Sequence, residues 1–60
     1  MNNTTDKIVH QLNLAWTAIE DGIIDAYDDG YSGLVWQLKQ IQLEIESLQT
    51  NIEEKEYGDE

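Results

Sequence analysis

Asp28-Asp29-Gly30-Tyr31-Ser32-Gly33 is the one dense cluster of turn-forming residues in this chain of 60 residues. Gly tolerates a left-handed backbone and Asp hydrogen-bonds its own backbone, so both residue types interrupt regular secondary structure. Long segments with apolar residues at helical spacing lie on both sides of this cluster. The cluster therefore predicts a reversal of the chain between two helices.

Both flanking segments carry apolar or small residues whose spacing alternates between four and three residues. Before the turn these are Ile8, Leu12, Ala15, Ile19, Gly22 and Ala26. After the turn they are Leu34, Leu38, Ile41, Ile45, Leu48 and Ile52. A repeat of this kind marks the face of a helix that packs against another helix. We predict helix 1 at about residues 5–28, a turn at 29–32, helix 2 at about 33–56 and a mobile acidic tail at 57–60.

Two helices joined by a short turn pack antiparallel. Folding the chain at Gly30 sets Ala26 against Leu34 and pairs each residue of the first repeat with one of the second. The predicted fold class is all-α, with a single domain at residues 1–60 that forms an antiparallel helical hairpin. Gly22 falls within the predicted seam, where we interpret it as allowing close approach of the two helices near the turn; a local kink in helix 1 is the alternative.

The apolar surface is wider than one seam, because Val9, Trp16 and Ile23 recur every seven residues beside the helix 1 repeat. A short chain without cysteine has a small core and no disulfide to support it. We predict a homodimer that forms a four-helix bundle. A higher oligomer, or a monomer completed by a foreign partner, is the alternative. The expected oligomer interface comprises Val9, Leu12, Trp16, Ile19, Ile23, Leu38, Ile41, Ile45 and Leu48.

Thirteen acidic and three basic side chains give a formal net charge of −10. Nucleic acids and anionic membranes are bound through clustered Lys and Arg, so we expect neither as a direct ligand. The polar N-terminus and the lack of a long apolar run predict a cytoplasmic protein. The charge favours a basic protein partner, and a merely solvating acidic surface is the alternative explanation.

The sequence offers little for metal binding or catalysis. Residues 25–30 resemble the start of a calcium-binding EF-hand loop, but Tyr27 and Trp36 occupy positions where acidic ligands are needed. His10 is the single imidazole and has no second ligand one helical turn away. Phosphate loops are absent, and a filled seam leaves no evident cleft for a nucleophile and its base. We predict a non-enzymatic protein without catalytic residues, metal or cofactor.

An acidic cluster precedes the turn. Asp21, Asp25 and Asp28 share one helical face, with Glu20 and Asp29 beside them. Like charges at this spacing repel each other, and the carboxyl end of a helix favours cations. The cluster therefore destabilises the end of helix 1 in two ways. One explanation is tolerated surface charge together with turn-forming roles. The other is a surface that binds Lys and Arg side chains of a partner.

Aromatic residues lie close to this cluster. Trp36 and Leu43 fall on the face of helix 2 opposite its seam, and Tyr27 and Tyr31 flank the turn. Exposed aromatic residues often mark a binding surface, although burial against another protomer is the alternative here. The predicted partner-binding residues are Asp21, Asp25, Tyr27, Asp28, Asp29, Tyr31, Trp36 and Leu43.

These features predict a small acidic protein-interaction module that binds and inhibits or regulates a basic, nucleic-acid-handling protein. Its charge density and size are similar to those of proteins that imitate DNA, and small acidic proteins of this sort are frequent in phages and mobile elements. One alternative is a structural or assembly subunit that self-associates through its second apolar face. Another is an antitoxin-like partner of a basic toxin.

Overall fold

The computed structural model describes residues 3–55, which form two α-helices. Helix α1 spans Asn3–Asp28 and helix α2 spans Ser32–Lys55. The helices contact each other, and the chain is an all-α helical hairpin, as predicted. Both helices begin slightly earlier than the predicted residues 5 and 33. The predicted acidic tail lies outside the described residues.

The turn between the helices is a three-residue connection built around Gly30, whose φ is 79°. This left-handed backbone strains residues that carry a Cβ. It lets the Tyr31 N–H donate to the Ala26 carbonyl at 2.9 Å, and the Gly30 N–H donate to the Tyr27 carbonyl at 3.1 Å. The two bonds form a Schellman motif, which satisfies carbonyl groups at the end of α1.

The same turn begins α2. The Ser32 N–H donates to the Gly30 carbonyl, and the Val35 N–H donates to the Tyr31 carbonyl, each at 3.0 Å. Tyr31 therefore occupies the position immediately before the first helical residue. Gly30 supports both the end of α1 and the start of α2, which allows so short a connection.

The helices pack through a seven-residue pattern that shares half of the predicted seam. The shared residues, which are buried or half-buried, are Leu12, Ile19, Ala26, Leu38, Ile45 and Ile52. The other half of the predicted seam is wrong, because the buried or half-buried residues there are Val9, Trp16, Ile23, Val35, Gln42 and Gln49. Most residues that they displace are exposed, namely Ile8, Ala15, Leu34, Ile41 and Leu48.

Side-chain size accounts for the displacement in α1. Each repeat offers two adjacent positions, and the helix can turn either Ala15 and Gly22 or Trp16 and Ile23 toward α2. Burial of the larger pair removes more apolar surface from water, so the helix is rotated toward Trp16 and Ile23. The same rotation brings glutamines into the α2 side of the seam.

Hydrogen bonds compensate for burial of these glutamines. Gln42 is 7% exposed, and its Nε2 donates to the Trp16 carbonyl at 3.2 Å. Gln49 Nε2 donates to the Val9 carbonyl at 3.3 Å. The donors are seven residues apart and so are the acceptors, so both bonds form in the same register along the hairpin. A buried amide that is bonded in this way avoids most of its desolvation cost.

The apolar core is concentrated beside the turn. Ile23, Ala26 and Val35 form a buried cluster against which Ile19 and Leu38 are packed. The radius of gyration is 14.0 Å, whereas a compact chain of this length has about 10 Å. The accessible surface of 4514 Å² exceeds the about 4,000 Å² of a compact 6.9 kDa monomer. The hairpin is therefore long and thin, with a small core.

Gly22 is not required for the two helices to approach each other. A Cβ placed on Gly22 would lie 3.8 Å from Leu38 Cδ1, which is an ordinary van der Waals contact. The interpretation that this glycine permits close packing within the hairpin is therefore wrong.

Candidate protein-interaction surfaces

One broad face of the hairpin, here called the polar face, carries charged and amide side chains. Glu46 and Glu20 lie on it, because each accepts a hydrogen bond from a seam residue of the other helix. Trp16 Nε1 donates to Glu46 Oε2 at 2.9 Å, and Gln42 Nε2 donates to Glu20 Oε1 at 2.9 Å. Residues at seven-residue spacings from these carboxylates share the face. They are Asp6, Asn13, Tyr27, Lys39 and Glu53.

The opposite broad face, here called the apolar face, carries an apolar or small residue in each seven-residue repeat of both helices. These residues are Ile8, Ala15, Gly22, Leu34, Ile41 and Leu48. The four large side chains among them are each between 39% and 44% exposed. The hairpin thus covers one side of each large side chain and leaves the other side in contact with water.

Charge is unevenly distributed around these faces. The positions that border the apolar face are Gln11, Ala18, Asp25, Gln37, Glu44 and Asn51. Residues 3–55 contain ten acidic side chains, and only Asp25 and Glu44 among them adjoin the apolar face. Most of the negative charge therefore lies on the polar face, on the outer edges of the helices and at the turn.

A groove of about 600 Å³ lies beside the turn, here called the turn groove. Its lining residues are Ile23, Ile24, Tyr27, Asp28, Gly30, Ser32, Val35, Trp36 and Lys39. Ile23 and Val35 are buried, whereas Tyr27 and Trp36 are 75% and 70% exposed. The groove therefore has a buried aliphatic base and accessible aromatic sides. Tyr27 and Lys39 place it on the polar face.

Three predicted partner-binding residues, Tyr27, Asp28 and Trp36, line this groove. The remaining predicted residues are exposed but lie outside it, namely Asp21, Asp25, Asp29, Tyr31 and Leu43. Sequence reasoning missed Ile24 and Lys39. Each lies three residues from a predicted aromatic residue, at the spacing that places side chains on one helical face.

The predicted oligomer-interface residues occupy three different environments. Ile23 is buried in the core of the hairpin. Val9, Leu12, Trp16, Ile19, Leu38 and Ile45 are half-buried in its seam. Ile41 and Leu48 are exposed on the apolar face. These two residues are thus the members of the predicted set that offer the most accessible apolar surface.

Within residues 3–55, no group of three or more His, Asp or Glu side chains is placed to hold a metal ion. Over the same part of the chain, neither helix is long and apolar enough to cross a membrane.

Comparison of the chain with protein-family models, curated proteins and solved structures gives no match.

Proposed function

We propose that this protein is a small acidic, non-enzymatic interaction module that binds and inhibits or regulates a basic protein, and that it acts as a homodimeric four-helix bundle. The turn groove is the observation that carries the proposal. Aromatic side chains at protein interfaces contribute most when they lie beside pockets that exclude water on binding. Trp36 and Tyr27 have that setting, with Ile23 and Val35 at the base of the groove.

The charge around the groove supports a basic partner. Asp28 lines the groove, and Asp21 lies two helical turns away on the same edge of α1. Asp29 is exposed in the turn itself. Carboxylates arranged around an apolar contact attract Lys and Arg, accelerate association and disfavour acidic competitors. The formal charge of −10 extends this attraction beyond the groove at low ionic strength.

The lining of the groove is mainly apolar, as in many binding sites, and its ionisable residues are Asp28, Lys39 and Tyr27.

Affinity capture from cells that produce the protein tests the proposal when variants are compared in parallel. Neutralising Asp21, Asp25 and Asp28 to Asn should abolish capture of a basic partner at low salt. Neutralising Glu44, Glu53 and Glu54 to Gln changes the net charge equally but leaves the turn end intact. This control should retain most of the captured partner, because its changes lie away from the groove.

Trp36→Ala separates apolar recognition from charge. It should weaken binding of the purified partner at least tenfold, as expected for a central aromatic contact. Isothermal titration at two salt concentrations measures this change. Equal losses from both sets of neutralised carboxylates, with no loss from Trp36→Ala, would refute recognition at the turn groove.

The apolar face favours a second candidate function, that of an assembly subunit. A face with four half-exposed aliphatic side chains supports self-association whether or not a foreign partner exists. Sedimentation of the purified protein distinguishes the two functions. Large defined oligomers without any basic ligand would favour the assembly subunit.

A further inference from the structure

We infer that a second copy of this chain docks on the apolar face, with α1 of each copy against α2 of the other and both turns at the same end of the bundle. This inference rests on the homodimer of the proposed function and adds the docking face and the orientation. It does not depend on the basic partner.

The positions of the apolar residues match a helical bundle rather than an isolated pair of helices. A two-helix seam needs two apolar positions in each repeat of seven, whereas a helix with several helical neighbours needs three. Helix α1 has a third series in Ile8, Ala15 and Gly22. In α2, glutamines occupy part of the seam, and Leu34, Ile41 and Leu48 form an apolar series outside it. Both of these outer series lie on one face of the hairpin, where a single docking partner covers them together.

The distribution of charge identifies that partner as another copy. Two chains that each carry a charge of −10 repel each other, so they associate only through a surface with few carboxylates. The apolar face is such a surface, because Asp25 and Glu44 are the only two of the ten carboxylates within residues 3–55 that lie along its borders. Docking through it leaves Glu20, Glu46 and the rest of the polar face in water. A basic protein would be attracted to the carboxylates that lie elsewhere.

The size of the face is sufficient for a stable dimer. The hairpin measures 46 Å by 14 Å across its broad faces. That area is comparable to the about 800 Å² that each partner contributes to a typical stable interface. The half-buried Leu12, Ile19 and Leu38 adjoin the exposed series and would add apolar contacts. An interface of this extent would also compensate for the small core of the single hairpin.

The register of the hairpin determines how the exposed residues are spaced along the apolar face. Gln49 bonds Val9, and Gln42 bonds Trp16. The residue before each of these belongs to the apolar face, and in antiparallel helices the preceding residues are displaced in opposite directions. Leu48 therefore lies about two residues nearer the turn than Ile8, and the same offset separates Ile41 from Ala15 and Leu34 from Gly22. Toward the turn, α1 presents small residues and α2 presents large ones.

Complementary sizes determine the orientation. A two-fold axis along the hairpin keeps each level and sets α1 against α2 of the other copy. Leu34 of the other copy then lies next to Gly22 and Ile41 next to Ala15, offset by about two residues along the helix, so that large side chains fill the space beside small ones. A two-fold axis across the hairpin would instead place Ala15 on Ala15 and Ile41 on Ile41. The contact between the two α1 helices would then contain voids, while the large residues of the two α2 helices would hold the copies apart. Close packing disfavours both.

This arrangement also gives Gly22 a role that the isolated hairpin lacks. The hairpin has room for a Cβ at this position, since the nearest atom would be Leu38 Cδ1 at 3.8 Å. In the dimer Leu34 of the second copy would lie next to this position. A glycine within a long helix is then explained by contact between copies.

Analytical ultracentrifugation tests the docking face. The wild-type chain should sediment with the mass of two copies, and Ile41→Asp should raise the dimer dissociation constant at least 100-fold. Leu43→Asp is the matched control, because Leu43 is a similarly exposed aliphatic residue on α2 that lies away from the apolar face. It should leave the dimer intact. A monomeric wild type, or dissociation by Leu43→Asp and not by Ile41→Asp, would overturn the inference.

Distance measurements test the orientation in a chain that keeps the whole apolar face. The protein has no cysteine, so Asp29→Cys and Glu53→Cys each introduce a single site for a spin label. Double electron–electron resonance should give distances well below the 46 Å length of the hairpin for both sites. Distances near or above that length at both sites would overturn the orientation. Neither test includes a basic partner, so failure of the proposed partner binding is a separate result.

Discussion

Gln42 provides the sharpest test of how the hairpin is held together. Gln42→Ala removes a neutral hydrogen bond to the Trp16 carbonyl and a charge-assisted one to Glu20. A neutral bond contributes about 1 kcal/mol, and a bond to a charged group about 1.5 kcal/mol or more. Because Glu20 is half-buried, the lower value applies. With the loss of a buried methylene, worth about 0.8 kcal/mol, we expect the free energy of unfolding to fall by about 3 kcal/mol.

Gln42→Leu separates the contributions of polarity and volume. It loses the same hydrogen bonds but buries additional apolar surface, so the free energy of unfolding should lie within about 1 kcal/mol of the wild type. Urea denaturation followed by circular dichroism measures both variants. All samples need the same chain concentration, because self-association would add to apparent stability.

Gln40→Ala is the matched control, since Gln40 is exposed on the same helix. It should change stability by no more than about 0.5 kcal/mol. If Gln42→Ala behaved like Gln40→Ala, the two hydrogen bonds of Gln42 would contribute nothing to stability and would not help to hold the two helices together.

Three further outcomes are expected. Gly30→Ala should lower the free energy of unfolding by about 1–2 kcal/mol, because the φ of Gly30 is 79°. Gly33→Ala should not lower it, because no atom lies within contact distance of a Cβ at Gly33. Equal effects of the two substitutions in thermal denaturation would contradict this. Trp16→Phe should lower the free energy of unfolding by about 1 kcal/mol, because the hydrogen bond to Glu46 is lost. Adding Glu46→Ala to Trp16→Phe should lower it no further, which a double-mutant cycle measured by urea denaturation would test. Raising NaCl from about 10 mM to about 0.5 M should raise the melting temperature, because salt screens repulsion within a chain of charge −10. A lower melting temperature at high salt would show that this repulsion does not limit stability.

The hairpin was predictable from sequence because its determinants are local. Gly30 and its Asp neighbours stand between two segments of helical periodicity, and the backbone conformation of Gly30 depends mainly on its own missing side chain. The presence of two helices and their order along the chain were predictable from that pattern. The first residue of each helix was less predictable, because it depends on backbone hydrogen bonds such as that from Val35 to Tyr31.

The seam was only half predictable because α1 offers two adjacent apolar series and α2 places glutamines in its seam. Choosing between Ala15 and Trp16 requires knowledge of what the facing helix can accommodate. Gln42 and Gln49 were invisible to an apolar pattern, since their burial depends on carbonyl groups of the other helix. The same limit applies to the turn groove. Tyr27 and Trp36 were predicted by residue type, but the participation of Lys39 depends on packing across the turn.

The position of the core cluster beside the turn has a consequence for the order of folding. Val35 lies nine residues from Ala26, whereas the hydrogen-bonded Gln49 and Val9 are 40 residues apart. Closing the longer loop first would cost about 1 kcal/mol more in chain entropy. Contacts should therefore form at the turn and spread toward the chain ends, and the ends should open first in the folded protein. Backbone amides near Ile23 and Val35 would then exchange with solvent more slowly than those near Val9 and Gln49.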